Sequence, residues 1–304
     1  MRVAALDIET FASIEDLEYA DYRYLKTRGR EEISDEDLEK RLALNPYTLS
    51  VISAAIAHIE ENTLQGITVY YVTTRGEDWV EEKPCVTSYI PILCPRLPQD
   101  LPEGEQLLLE QLWQELERVE LLVTYNGRSF DLPVLRLRSM IHGLPIPETI
   151  ARLHFLRSTN THLDLAEFLS CQNPEHRYTL EFVCRKFGIT SRKSTMDGAR
   201  VHDAFLGGRY FDIARYNAQD ALATAQLYLR VAQYTPRTLE PRDPLPTDRQ
   251  LQYLSDLFDS HNPEASTISI ISWFAMHGIL TKNNVSKLIE ELEELKRRGP
   301  SDVL

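Results

Sequence analysis

Hydrophobic and polar positions change their period several times along the chain. Arg2 to Ile8 is a short apolar run that ends in acidic residues and predicts a buried strand. Ser13 to Leu44 is polar and helix-like, with charge pairs such as Glu36 and Lys40 at the spacing that supports an exposed helix, and Asn45-Pro46 ends it. Leu49 to Ile59, rich in Val, Ile and Ala, predicts a second strand, and Ile67 to Thr73 a third. Glu77 to Pro102 carries Pro84, Pro91, Pro95, Pro98 and Pro102 and predicts mostly loop.

The second half alternates. Leu108, Leu109, Leu112 and Leu116 fall on one face of a helix over Glu105–Arg118. Leu121–Thr124 predicts a short buried strand, and Phe130–His142 a helix capped by Gly143. Leu163–Leu169 and Thr179–Phe187 predict two more helices, the second ending at Gly188, and Ile213–Gln233 a long one. Strands first, then strands alternating with helices, predict an α/β layer fold with a mixed sheet flanked by helices.

Pro236, Pro241, Pro244 and Pro246 crowd into a short stretch with the composition of a linker. The expected organisation is a main domain over 1–235, a proline-rich linker over 236–247 and a small helical unit over 248–304. Three amphipathic helices are expected in that unit, over 248–260, 268–277 and 284–298, the last with Val285, Leu288, Ile289, Leu292 and Leu295 on one face. About fifty residues bury little apolar surface, so the unit is expected to pack on the main domain, on a second copy or on another protein. Glu290, Glu291, Glu293 and Glu294 favour protein contact or self-association over a grip on phosphates.

The 304 residues carry 33 Lys and Arg against 46 Asp and Glu, a net charge of −13. This excludes a protein that coats nucleic acid by bulk positive charge, though not one with a local basic groove. No apolar run reaches the roughly 18–20 residues of a membrane helix. Met1–Glu9 lacks the apolar core of a signal peptide. Cys85, Cys94, Cys171 and Cys184 form no CxxC pair and no zinc-like cluster, and predict reduced thiols in a cytoplasmic protein.

Three segments carry candidate chemistry. In a strand Asp7 and Glu9 point to one side while Ile8 packs into the core, so two carboxylates at a strand end can share a hard divalent cation. Acids fill 46 of 304 positions, so this pair alone says little; the apolar strand around it says more. The second segment, Thr124 to Pro133, runs from an apolar strand through Asn126-Gly127 into a helix and places Asp131 at the sheet edge. Gly127 is expected to let backbone approach a substrate closely. In the third, Tyr216 and Asp220 lie four apart on one helical face.

Together and in this order, the segments resemble the DEDD superfamily of 3′–5′ exonucleases, which are ribonuclease H-like. Asp7, Glu9, Asp131 and Asp220 match the four acids. Arg215 stands where one subclass has His, and Tyr216 stands where the other has Tyr, so the chain resembles the tyrosine subclass. Asn45-Pro46 before the Val51–Ala57 strand, His162–Leu165, Tyr178–Glu181 before Phe187-Gly188-Ile189, and Lys193–Gly198 resemble its predicted PolB-like exonuclease branch, over about residues 1–234. The Glu15–Leu44 segment departs from that pattern as an insertion near the site entrance, and the C-terminal helices match no part of it.

The resemblance implies a ribonuclease H-like mixed sheet and a metal-dependent 3′–5′ exonuclease that releases 5′-nucleotides. It implies two divalent cations, Mg²⁺ or Mn²⁺, held by Asp7, Glu9, Asp131 and Asp220, with Tyr216 orienting the attacking water. The implied substrate is the 3′ end of single-stranded nucleic acid, DNA ahead of RNA, with Thr10, Phe11 and Asn126 at the substrate and Phe11 stacking on the terminal base. Arg128, Arg136, Arg138, Arg185, Lys186, Arg192 and Lys193 are candidates for holding the strand. The alternatives are a 3′–5′ exoribonuclease, a non-catalytic nucleic-acid-binding or scaffold protein on the same fold, and another ribonuclease H-like phosphoryl-transfer enzyme.

Overall fold

The computed structural model describes residues 1–29, 32–76, 79–147, 161–170, 173–189 and 198–234, and helical pieces between 249 and 293. The chain divides into two compact units, Met1–Ala151 with His162–Pro236, and Arg152–Thr161 with Arg237–Leu304.

The first unit is built on a seven-stranded mixed sheet. Its strands are β1 (Arg2–Phe11), β2 (Ser50–Glu60), β3 (Thr63–Thr73), β4 (Trp79–Glu81), β5 (Thr87–Leu93), β6 (Leu121–Thr124) and β7 (His162–Asp164), in the order β4-β5-β3-β2-β1-β6-β7. The meander β1-β2-β3 is antiparallel, and β6 and β7 continue the sheet parallel to β1. This is the expected α/β layer arrangement, a mixed sheet flanked by helices, with β5 and β4 at one edge. The helices are α1 (Tyr19–Thr27), α2 (Asp35–Leu42), α3 (Leu101–Leu116), α4 (Asp131–Ile141), α5 (Leu165–Leu169), α6 (Leu180–Lys186), α7 (Gly198–Leu206) and α8 (Tyr210–Ala232).

Val51–Ala57 of β2 is buried without alternation, as a strand covered on both faces must be. Helices α3 and α8 both pack on β2 and β3, and α8 also lies on β1. The inner face of α8 carries Ala214, Ala218, Ala221 and Ala225, all buried, and such small side chains let its backbone come close to the sheet.

Several expectations need correction. The stretch read as loop contains β4 and β5. Pro91 sits inside β5, opposite Tyr71 of β3, while β4 pairs with β5 only over Thr87–Tyr89. The missing N–H therefore falls where the outer edge of β5 has no partner strand, a place where proline is tolerated. His162–Asp164 is strand, and the helix expected from Leu163 starts at Leu165 with Asp164 as its cap, accepting from Ala166 N and Glu167 N. The single polar helix expected before Leu44 is two, α1 and α2, after a 3-10 turn at Ile14–Asp16. Helix α7 was not expected. Gly143 and Gly188 follow their helices with φ of +68° and +70°, as cap residues should.

The sheet has one irregularity close to its acidic end. β2 carries an extra residue, Ile52, opposite the Glu9–Thr10 step of β1. Beside it, Val51 N donates to Glu105 Oε1 at 2.8 Å. Glu105, on α3, is fully buried and also receives Arg138 Nε at 2.9 Å and Nη2 at 2.6 Å, with His142 Nε2 at 2.8 Å. Burial pushes this carboxyl up, but His142, Arg138 and the Val51 N–H outweigh it and hold it below its ordinary range. Arg138 is thus a core brace between α4, α3 and the bulge, which corrects its assignment to phosphate binding.

In the second unit, Leu254 and Val285 are buried together with Leu288 and Ile289 packed on them, and Tyr253 Oη donates to Glu293 Oε1 at 2.6 Å. The expected helix over 268–277, the linker prolines, Lys193–Gly198 up to Asp197, Arg192 and Cys171 lie outside the described residues. Among the described residues no helix is long and apolar enough to cross a membrane.

Candidate active site

The site forms where β1 ends, under the middle of α8. Strand alternation turns Asp7 and Glu9 to the same face, and Ile8 between them is buried in the core. Helical spacing brings Tyr216, Asn217 and Asp220 of α8 over them. Carboxylate oxygens of Asp7, Glu9 and Asp220 all lie within 4.8 Å of one another. Asp131, at the start of α4, is buried nearby, close enough for its charge to act on both Asp7 and Glu9. Three of the four expected acids therefore meet, with Asp131 beside them. The Tyr216 phenol lies beside Asp220, and burial with the surrounding carboxylates pushes it far above its ordinary range.

One group was missed. Asn217, fully buried, donates from Nδ2 to Asp7 Oδ2 at 2.7 Å and accepts at Oδ1 from Ser53 Oγ at 2.8 Å. Ser53 stands directly opposite Glu9 in the ladder. Asp7 is held in this way from the helix and, through Asn217, from the neighbouring strand. The only hint in the sequence is the place of Asn217 between Tyr216 and Asp220.

The second missed group is Asp164. Its carboxylate accepts from Asn126 N at 3.0 Å and Arg128 N at 2.9 Å while capping α5. This ties down the loop in which Asn126 adopts a left-handed φ of +64° with its side chain exposed. Gly127 has a packing task. A Cβ there would sit 2.5 Å from the Thr124 side chain, so its bareness serves packing inside the turn.

Phe11 is also reassigned. It is 2% exposed, its ring 4.1 Å from that of Phe205 and 5.3 Å from His202, both on α7. Its part in this structure is core packing, with no open face for a base. Thr10 stays half-buried at the rim, where its Oγ1 donates to Ala43 O at 3.4 Å, so the Glu15–Leu44 segment returns to the end of β1. Arg128 is half-buried and paired with Glu167 at 2.8 Å.

The crowding has an electrostatic signature. Burial pushes Asp7 up, reinforced by Asp220, Asp131 and Glu9 and opposed by the Asn217 hydrogen bond. Burial and then Asp220 and Asp131 push Glu9 up. Asp131 is raised to about 7 by burial and Asp164, and Asp220 to about 6 by burial. Oxygen-only donors that repel one another suit Mg²⁺ or Mn²⁺, which would relieve that repulsion.

The sign of the pH effect follows. These carboxyls hold protons more tightly in the folded metal-free protein than in the unfolded chain. Between about pH 4 and pH 7 the metal-free fold should therefore lose stability as pH rises. A divalent cation competes with protons for the same oxygens. Mn²⁺ should raise the melting temperature more at about pH 8 than at about pH 5.5. Thermal melts at both values, with and without Mn²⁺, check this, and equal shifts would count against it.

Comparison with the curated proteins returns no match. Among solved structures, the chain resembles E. coli exonuclease I in complex with a dT13 oligonucleotide, at 12% identity and a TM-score of 0.43, over 86% of this chain. It spans 45% of that protein's length. The family match runs from residue 94 to 261, beginning later and ending further on than the residues alone suggest; it includes Asp131, Tyr216 and Asp220 and leaves Asp7 and Glu9 outside. Residues 94–261 are more than half of the chain, they match the predicted 3′–5′ exonucleases related to the exonuclease domain of PolB, and the chain belongs to that family.

Proposed function

We propose that the protein is a metal-dependent 3′–5′ exonuclease that removes 5′-nucleotides from single-stranded DNA ends. The observation that carries this is the meeting of Asp7, Glu9 and Asp220 within 4.8 Å beneath the Tyr216 hydroxyl. Asp7, Glu9, Asp131 and Asp220 would hold two divalent cations. When bound, such a pair relieves charge on the phosphate and on the attacking and leaving oxygens.

The chain's own residues supply the geometry. Asn217 fixes the Asp7 carboxylate through the Ser53 relay. The Tyr216 hydroxyl, beside Asp220, would orient the attacking water, and its raised pKa keeps it a neutral phenol. Asn126, exposed on its pinned turn, offers an amide to the terminal sugar or phosphate.

The reading extends to organisation and compartment. An exonuclease domain over 1–235, a linker over 236–247 and a helical accessory unit over 248–304 belong to this reading, whose boundary is supported by the chain's division after Pro236; the accessory unit would contact protein or a second copy. Free thiols at Cys85, Cys94 and Cys184 support a cytoplasmic setting.

The test is a digestion series on single-stranded DNA, duplex DNA and RNA labelled at either end, with Mg²⁺, Mn²⁺ or chelator. Single-stranded DNA should shorten from its 3′ end, with metal only. Cleavage from the 5′ end, internal cuts or metal-independent turnover would sink the reading. In the same assay Tyr216→Phe should lose about a hundredfold in rate, the scale of a misplaced reactant, while calorimetric Mn²⁺ affinity stays put. Loss of Mn²⁺ binding in that variant would make the hydroxyl a ligand.

A further inference from the structure

One surface beside the site is aromatic and basic in a chain whose net charge is −13. Tyr178 is 51% exposed, and its ring lies 4.8 Å from that of Phe182 with the planes 34° apart. Lys186 Nζ stands 5.4 Å, and the Arg185 guanidinium carbon 6.0 Å, from the Phe182 ring centre. We propose that Tyr178 and Phe182 form a base-stacking platform for single-stranded nucleic acid, with Arg185 and Lys186 as its phosphate rim. The platform rests on the exonuclease reading and extends it to the nucleotides away from the reacting end.

Three observations carry it. First, the platform is anchored to the loop next to the acids. The Tyr125 hydroxyl donates to Tyr178 O at 2.6 Å, and Tyr125 precedes Asn126. Second, the other face of α6 is fixed against the helix that supplies Asp220. Val183 and Cys184 are buried, and Cys184 Sγ lies 3.9 Å from Ala223 O, one turn beyond Asp220. Phe182, Arg185 and Lys186 are thereby turned outward on a rigid element. Third, the chemistry matches one kind of ligand. Every base offers a π-face whatever its identity, and cations beside the ring suit the backbone between bases. Arg185 is paired with Glu181 at 3.1 Å, but both side chains are 62% exposed, so a phosphate can replace that carboxylate at little cost.

Phe11, expected to stack a base, is buried, and Tyr178 and Phe182 take that task at a different place. The platform would hold a nucleotide upstream of the terminal one, which makes affinity depend on strand length.

The experiment compares two substrates with the full-length protein and Mn²⁺. One is dT12; the other is the p-nitrophenyl ester of thymidine 5′-phosphate, which fills only the reacting position. The expected result for Tyr178→Ala is that the ratio of kcat/KM on dT12 to that on the ester falls about tenfold, mostly through KM. Arg185→Gln with Lys186→Gln should flatten the salt dependence on dT12. An rU12 arm should show the same fall if stacking is what Tyr178 supplies. Equal losses on dT12 and on the ester would overturn the platform in favour of a structural role, as would an unchanged ratio in an active wild type. If the wild type turns over neither substrate, the exonuclease reading fails instead. Fluorescence anisotropy of labelled dT12 in chelator then decides the platform separately, supporting it if Tyr178→Ala weakens binding about tenfold and overturning it if binding is unchanged.

Discussion

Asp7→Ala should reduce phosphodiester hydrolysis at least about a thousandfold, which corresponds to roughly 4 kcal/mol of transition-state stabilisation. Asp7 is the one acid whose charge is felt together with those of Glu9, Asp131 and Asp220, and it is the one held by Asn217. Its loss removes the shared centre of the donor set. The fold should survive, because removing one buried carboxylate eases the repulsion that raises the others. Against that gain stands the Asn217 amide, left without its acceptor at a cost of about 1–3 kcal/mol. Asp7→Asn separates the two effects, since it removes the charge and keeps a polar group beside Asn217. Single-turnover cleavage of a labelled oligonucleotide at saturating Mg²⁺ measures the loss, and a wild-type rate in either variant would remove Asp7 from the site.

Glu105→Ala should have the largest effect on stability, about 3–5 kcal/mol, without touching any acid of the site. The variant strands a guanidinium in the core, where Arg138 is 8% exposed, and leaves the Val51 N–H without its acceptor beside the bulge. For a domain of this size the melting temperature should fall by about 10 °C. The double variant Glu105→Leu with Arg138→Met should be milder, because an apolar pair of similar volume carries no stranded charge. Thermal melts of both variants decide it, and a double variant less stable than Glu105→Ala would mean that the brace acts by something other than charge pairing.

What could be read from the sequence were elements whose signal is local. β2 and β6 are runs of buried apolar residues, and α3 and α8 show an apolar stripe long enough to be unmistakable. β5 was hidden because Pro91 argues against a strand until it is known that the outer edge has no partner there. β7 has only three residues, too few for alternation to register. Helix α7 buries Val201, Ala204 and Phe205 on one side, but its short span gives the pattern barely two turns.

The same division holds at the site. The candidate acids and Tyr216 stood out because their types and order carry a resemblance, and the fold brings Asp7, Glu9 and Asp220 together. Asn217 and Asp164 were not found, since each acts through contacts between segments far apart in the chain. Phe11 and Arg138 show the opposite error. An aromatic or a basic residue near a site suggests a substrate contact, yet only the packing decides which way it faces: Phe11 against α7, and Arg138 against Glu105.

Three of the groups around the acids, Tyr216, Asn217 and Asp220, share one continuous helix, and Asp7 and Glu9 share one strand. The site is therefore a calliper with two stiff jaws. Distances within each jaw are fixed by backbone geometry, and only the gap between them can vary. That gap is set by methyl groups: Ala214, Ala218, Ala221 and Ala225 are the spacers between helix and sheet. A bulkier side chain at Ala221 would leave Asp7, Glu9 and Asp220 in place on their own jaws and still widen the opening between Asp220 and Asp7. The chemistry of this protein is thus gauged by the thinnest side chains under its longest helix, at positions that bear no functional group at all.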